Sequence, residues 1–315
     1  MAQRLFGLIY LRPAFTFGGG SLHVLRRPLK WLKNCERFRS LARGVGPCYL
    51  VVERAMTKVD QFESVFRAAA KQLFEYEPYR AQKALVVTDL ERAEAEELGA
   101  RLRAFLSVLE AERPLEWRHV SGDEFRSVGD LLRLVADCKP DLICTYRHLH
   151  SAAWTWPHSL GEGLDVLTQA TQVPVLVVPH PKAARGHIHA LENTDVVMAI
   201  TDHLTGDHQL VNAAAGFAEK DGTLFLTHIE DELLFTRLIE TISKIPEIDT
   251  DTAREEIRTH LLAEPYDYVR SCQHILQRER PELRIDDLVV MGHRLKDYRE
   301  LIDQHEVDLL IFRTK

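Results

Sequence analysis

The chain has 315 residues, of which 45% are hydrophobic and 28% are charged. This length and composition allow a sizeable core and about two ordinary domains, which excludes a largely disordered protein. The five cysteines are widely spaced and never form Cys-x-x-Cys, so we expect a reducing cytoplasmic location rather than a disulfide framework or a zinc knuckle. The longest apolar runs, such as 173–179, are far shorter than the roughly 20 residues that cross a bilayer, and no transmembrane segment is expected.

The net charge of −7 hides a basic arm, because residues 1–46 carry nine Lys or Arg against Glu36 alone. Within it, Leu22–Leu41 interleaves apolar residues with the basic ones. This pattern favours packing on the acidic remainder of the chain, and contact with an anionic surface or an acidic partner is the alternative. It carries no strong nucleic-acid signal. Organelle targeting is disfavoured because the arm is poor in Ser, and because Leu5–Leu11 is typical of a buried strand.

From residue 47 onward, short β-branched apolar runs alternate with longer amphipathic stretches. This is the pattern of parallel strands joined by crossover helices. The first set predicts five strands and four helices. The strands are 48–53, 83–89, 115–122, 140–146 and 173–179, and the helices are 58–75, 91–111, 127–138 and 161–171.

A polar linker, residues 181–194, leads into a second set that is one strand shorter. Its strands are 195–202, 222–229, 283–292 and 307–312, with helices at 206–219 and 295–306 and two helical stretches within 231–278. We therefore predict an α/β fold of two tandem, open-twisted parallel sheets with flanking helices, in domains spanning 47–182 and 194–315. Since the second sheet would have an open edge, Arg4–Pro13, itself similar to a closing strand, is predicted to dock there.

The two sets look like copies of one unit. In each copy a Glu-Arg-Pro triplet, a strand ending in glycine, a helix and an Asp-Leu strand follow in that order. The matched pieces are 112–114 with 279–281, Gly122 with Gly292, and 140–143 with 307–310. One ambiguity stays open, since Thr88-Asp89 also matches Thr201-Asp202 as the end of a first strand.

This order, closed by VPVLVVP at 173–179, resembles the universal stress protein family over roughly 47–182 and 194–315. The resemblance implies the adenine-nucleotide alpha-hydrolase-like fold. In that family the first strand ends in an Asp that contacts the adenine or ribose, and a loop Gly-x2-Gly-x9-Gly-Ser/Thr holds the phosphates. Such glycines let backbone N–H groups approach an anion.

The family's nucleotide motif is matched poorly here. Gly161 stands at the third glycine position, but Glu162 replaces the hydroxyl residue, and His148 and Ser151 stand where the other glycines belong. The first copy offers Glu53 at the end of its opening strand. The second offers Thr201 and Asp202, with no phosphate loop before Lys315. The resemblance therefore implies a member that needs no ATP, with ATP binding as the alternative.

The loop Tyr146–Gly163 collects bulky residues where the family holds its ligand. The candidate ligand-binding residues in it are Arg147, His148, His150, Trp154, Trp156 and Gly161, and Thr201 and Asp202 join them from the second copy. One interpretation is that the loop forms a rebuilt pocket for a planar or cationic ligand. We favour the alternative, in which it fills the cleft with its own side chains or packs at the interdomain interface. His148, His150 and His158 lack nearby Cys or carboxylate ligands, so no metal is predicted.

No nucleophile elbow of the form Gly-x-Ser-x-Gly is present, and Gly18-Gly19-Gly20-Ser21 lacks the Lys-Ser/Thr of a phosphate loop. We therefore expect no enzyme, no catalytic residue and no cofactor. The predicted function is a non-catalytic, cytoplasmic stress-response binding or adaptor protein that acts on a protein partner or a second copy of itself. The alternatives are an ATP-binding stress regulator or weak ATPase using Asp202, and a soluble regulatory subunit of a membrane transporter.

Overall fold

The computed structural model describes residues 9–10, 74–155, 159–182, 191–200 and 206–313. Several predictions fall outside the described residues: the strand at 48–53 with Glu53, nearly all of the helix at 58–75, and most of the basic arm. Of the candidate binding residues, Trp156, Thr201 and Asp202 also lie outside them.

The first half is a four-stranded, all-parallel sheet flanked by helices. After β1 (Ile9–Tyr10), its strands are β2 (Lys83–Val87), β3 (Glu116–Val120), β4 (Leu142–Tyr146) and β5 (Val175–Val178), in the order β3-β2-β4-β5. Its helices are α1 (Arg92–Phe105), α2 (Val128–Cys138) and α3 (Glu162–Ala170), with short 3-10 turns at Ser107–Glu110 and Ala152–Thr155.

The second half is also four-stranded and all-parallel. Its strands are β6 (Val196–Ile200), β7 (Thr223–Asp231), β8 (Arg284–Gly292) and β9 (Leu309–Phe312), in the order β8-β7-β6-β9. Its helices are α4 (His208–Phe217), α5 (Glu232–Ile242), α6 (Thr250–Glu279) and α7 (Arg294–Gln304). The predicted α/β class and its two parallel sheets with flanking helices are confirmed.

Strand β1 lies between the two sheets. Ile9 pairs in parallel with Leu176 of β5 and antiparallel with Ile311 of β9, so the nine strands run in one continuous order. Part of the segment predicted to close the second sheet thus pairs with its edge strand. Because β9 would otherwise expose unpaired N–H and C=O groups, this pairing protects an open edge.

Helix starts follow local capping chemistry. Ser127 and Asp130 form a reciprocal capping box at the start of α2. Asp207, Asp231 and Asp249 accept backbone N–H groups at the starts of α4, α5 and α6. These side chains satisfy donors that a helix start leaves unbonded, which fixes where each helix begins.

One hydrophobic cluster is shared by the two halves. It joins Val86 and Leu102 of the first half to Leu226 and Leu276 of the second, whereas the opposite face of each sheet packs its own separate cluster. The segment 74–81 reinforces the shared core, since the ring of Tyr79 stacks on Phe217 of α4 at 5.2 Å between centroids. The halves are therefore joined by apolar packing as well as by β1.

The start of one strand in each half is held by an aspartate. Asp141 accepts the N–H groups of Gln82 at 2.8 Å and Lys83 at 3.0 Å, and its own N–H donates to the Lys83 carbonyl at 2.8 Å. Asp308 accepts the N–H of Val196 at 2.9 Å and donates back to the Val196 carbonyl at 2.9 Å. Lys83 and Val196 are therefore structural equivalents, and so are β2 and β6.

This equivalence decides how the copies align. Counting along β2 and β6 from Lys83 and Val196 places Asp89 at the position of Asp202, so the alternative that the sequence left open is the one the structure adopts. The predicted match of Gly122 with Gly292 is wrong: Gly122 follows β3, the direct neighbour of β2, whereas Gly292 ends β8, which β7 separates from β6. A strand followed by or ending in glycine thus occurs in both halves, but it occupies a different position in each sheet.

Candidate functional site

The first-half candidate site lies at the carboxyl ends of β2 and β4. Strand order reverses between these two strands, because β3 lies on the far side of β2 and β5 on the far side of β4. In open α/β sheets, ligands bind in the crevice outside the carboxyl ends of the strands at such a switch point. The loop that follows β4 contains most of the candidate residues predicted from the sequence.

At the centre of the site is Asp89, directly after β2. Its carboxylate accepts hydrogen bonds from the hydroxyl of Tyr146 and, at 2.8 Å, from the N–H of His150. The N–H of Asp89 donates to the Tyr146 hydroxyl oxygen at 3.0 Å. Each carboxylate oxygen thus has one donor within the chain, and Asp89 itself is half-buried.

Tyr146 is fully buried at the end of β4. Burial raises the pKa of its hydroxyl far above the ordinary value, and the hydrogen bond to Asp89 raises it further. A phenol in this state keeps its proton, so Tyr146 acts as a fixed hydrogen-bond donor to Asp89.

Beside this pair, the backbone of His148 lies against Gly161. Gly161 has φ +85°, and a Cβ there would lie 2.9 Å from both the Cα and the N of His148. The N–H of His148 donates to the Leu160 carbonyl at 3.0 Å, and its buried ring makes a 3.1 Å hydrogen bond with the hydroxyl of Ser159. A side chain at position 161 would therefore collide with the backbone of His148.

His180, just after β5, covers the other side of Tyr146. The two rings meet nearly edge to face, with centroids 4.8 Å apart. The N–H of Lys182 donates to His180 Nδ1 at 3.1 Å, so the neutral ring carries its proton on Nε2. Burial lowers the pKa of His180 against the opposing effect of the Asp89 charge, and the neutral form is the one that fits this apolar contact.

The side chains of His150 and Arg147 contact other parts of the chain. His150 is exposed, with its ring packed edge-on against Phe125 at 4.7 Å. Arg147 is half-buried, and its guanidinium donates to the Ser159 carbonyl at 3.3 Å. Trp154 belongs to the 3-10 turn at Ala152–Thr155.

The sequence does not predict that Asp89, Tyr146 and His180 are partners in one site. Of the predicted residues, the structure brings together Arg147, His148, His150 and Gly161. A signal for Asp89 was present in the match of Thr88-Asp89 with Thr201-Asp202. Nothing in the sequence pointed to Tyr146 as the donor to that carboxylate, because the pairing depends on β2 and β4 being neighbours.

The site has no complete hydrolytic machinery in the part of the chain that the structure describes. Ser159 and His148 are hydrogen-bonded, but no carboxylate in those ranges bonds the His148 ring, so the third member of a triad is lacking. The described residues also contain no group of three His, Cys, Asp or Glu side chains arranged to hold a metal ion.

The matching crevice of the second half lies at the carboxyl ends of β6 and β9. Here Arg313 bonds the carboxylate of Asp207 at 2.6 Å, and the same carboxylate accepts the N–H of Leu210 at the start of α4. Burial raises the pKa of Asp207, and the Arg313 charge opposes that rise. Arg313, directly after β9, is therefore already paired with the carboxylate of Asp207.

A separate groove of about 890 Å³ lies near the amino ends of β2 and β3. Both copies of the Glu-Arg-Pro triplet contribute to it. Arg280 donates to the Ala215 carbonyl at the end of α4 at 3.0 Å and pairs with Glu282 at 2.8 Å. The guanidinium of Arg280 therefore caps the last turn of α4, which gives the second triplet a structural role.

No helix among the described segments is long and apolar enough to cross a membrane. A comparison with protein-family models finds no match, and a search of curated proteins finds no significant relative.

Proposed function

We propose that this chain is a non-catalytic, tandem universal stress protein-like binding or adaptor protein that acts without ATP. It would act through its surfaces, on a protein partner or on a second copy of itself, and would carry out no turnover.

The observation that supports this proposal is the occupied first-half crevice. The carboxylate of Asp89 is engaged by Tyr146 and His150, and the backbone of His148 lies against Gly161. A triphosphate needs exposed backbone N–H groups and glycines that allow close approach. The acidic first turn of α3, with Glu162 and Asp165, would in addition repel an anion.

The test is titration of a fluorescent ATP analogue into the full chain, with Asp89→Ala and Asp202→Ala variants alongside. We expect no saturable binding at millimolar nucleotide for any of the three proteins. Tight binding to the wild type that Asp89→Ala abolishes would refute the proposal, because it would place a nucleotide in the crevice that we consider filled.

An ATP-binding regulator using Asp202 is the second candidate. It is favoured by an alignment of the two copies: counting equally from Lys83 and Val196 along the sequence matches Thr201-Asp202 with Thr88-Asp89. Tight binding to the wild type that is lost in Asp202→Ala, but kept in Asp89→Ala, would support this candidate over the first.

A further inference from the structure

The groove near the amino ends of β2 and β3 is built by both halves. The first half contributes the segment before β2 and the turn before β3, and the second contributes the ends of α4 and α6. Ligand pockets occur preferentially at such junctions, and a volume of about 890 Å³ is within the range of small-molecule sites. The groove lies at the opposite strand ends from the Asp89 crevice, so it is a separate candidate site.

The charged side chains that line the groove are only partly paired. They are Arg80, Glu112, Arg113, Lys220, Glu279, Arg280 and Glu282. Arg280 bonds Glu282 at 2.8 Å, and Arg278, outside the groove, bonds Glu279 at 2.8 Å. The hydrogen bond from Arg280 and the charge of Lys220 both lower the pKa of Glu282. Two guanidinium groups and one carboxylate therefore remain to be explained.

Arg80 and Arg113 are the two cations that a ligand could use. Both are exposed, and neither makes a hydrogen bond or an ion pair with any other residue in the described segments. Arg113 belongs to the first Glu-Arg-Pro triplet, whereas its counterpart Arg280 in the second triplet caps α4. The motif thus supplies a structural arginine in one copy and, in the other, an arginine that lines the groove.

Apolar side chains line much of the remaining groove. Tyr76, Val108 and Leu109 are half-buried there, together with the exposed Pro78 and Pro114. Ligand sites combine apolar and aromatic lining of this kind with a few polar groups that fix orientation. A flat apolar body with charged groups at its edge matches such a lining.

Side chains, rather than a glycine-rich backbone cradle, would have to hold an anion here. Gly216 is the only glycine among the described lining residues, and a Cβ there would lie 2.7 Å from the Cβ of Tyr79. The close approach of backbone that phosphate groups require is therefore not offered by this glycine. A planar guanidinium instead matches a planar carboxylate through two parallel hydrogen bonds.

We propose that this groove binds a small aromatic dicarboxylate. Arg113 and Arg80 pair with its carboxylates, and the ring packs against Tyr76 and Leu109. The site shares no residue with the Asp89 crevice, so the proposal stands whether or not ATP binds there.

The probe is isophthalate, titrated into the full chain by isothermal calorimetry. Arg80→Gln and Arg113→Gln should each weaken its binding at least about tenfold. Arg101→Gln is the matched control, because Arg101 is an exposed arginine of α1 that does not line the groove; its affinity should stay within about twofold of wild type. Glu112→Gln should tighten binding, since it removes the one lining carboxylate that is left without a bonded cation in the described segments.

Related compounds test the chemistry of the ligand. Isophthalamide keeps the ring without the charges, glutarate keeps two carboxylates at a similar separation without the ring, and pyrophosphate is a compact phosphate anion. Each should bind at least about tenfold more weakly than isophthalate. Because both arginines are exposed and unbonded within the described residues, their substitution should leave the urea midpoint unchanged, so a loss of binding cannot be attributed to unfolding.

The absence of saturable isophthalate binding at millimolar concentration would overturn the proposal. So would an affinity that neither arginine substitution changes, or one that Arg101→Gln lowers as much as Arg113→Gln does. Pyrophosphate binding as tight as that of isophthalate would overturn the assignment to a dicarboxylate.

Discussion

Gly161→Ala tests the idea that the crevice after β4 is closed by backbone packing. Two costs add. An L-residue at φ +85° has about 1–2 kcal/mol of backbone strain. Its Cβ would also lie 2.9 Å from two backbone atoms of His148, which cannot move aside as a flexible side chain can, and forced repacking costs about 1–3 kcal/mol. We expect a total loss of about 2–5 kcal/mol in the free energy of unfolding.

The measurement is urea unfolding followed by circular dichroism, with Gly163→Ala as the control in the same helix. A Cβ at Gly163 meets its nearest neighbour, Leu149, at an ordinary 3.6 Å. Alanine suits a helix better than glycine, so this variant should gain up to about 1 kcal/mol. The two substitutions, two residues apart, should thus have opposite signs. If Gly161→Ala unfolds within about 0.5 kcal/mol of wild type, His148 is not packed against this glycine as described.

Four further changes test contacts within each half and between the halves. Tyr146→Phe removes the hydroxyl that bonds both the carboxylate and the N–H of Asp89, and should cost about 1–3 kcal/mol in urea unfolding; an unchanged midpoint would argue against this pairing. Asp141→Ala removes the acceptor of two backbone N–H groups, and Asp308→Ala removes its counterpart. Each should lower the free energy of unfolding in urea by about 1–2 kcal/mol at pH 7, and an unchanged unfolding midpoint would argue against these hydrogen bonds. Deleting residues 1–13 removes β1 from between β5 and β9; the melting temperature should fall by several degrees, and no fall would show that β1 adds no stability.

Most strands and helices were predictable within a few residues. The strand predicted at 83–89 is observed at Lys83–Val87, and the helix predicted at 206–219 is observed at His208–Phe217. Strands of a parallel sheet covered on both faces are continuous apolar runs, and helices between them have one apolar face. The local pattern of apolar residues therefore indicates which positions are buried, and from this pattern a segment can be assigned as a helix or a strand.

Local sequence patterns do not indicate the order of the strands in the sheet. Gly122 and Gly292 end similar strands, but β3 lies beside β2 while β8 lies one strand further out. Which strands become neighbours depends on contacts between residues far apart in the chain. The candidate site depends on the same contacts, because Asp89 meets Tyr146 only when β2 and β4 pair. For this reason the crevice residues were harder to predict than the elements carrying them.

The two halves agree at the amino ends of their strands and differ at the carboxyl ends. Asp141 and Asp308 hold equivalent strand starts with the same hydrogen bonds, so the repeated Asp-Leu motif has a structural role in both copies. At the opposite edge, the first half closes its crevice with an aspartate and a tyrosine, whereas the second pairs Asp207 with Arg313. Parallel sheets bind ligands at the carboxyl ends of their strands. A ligand shared by the two halves would therefore meet different side chains in each crevice.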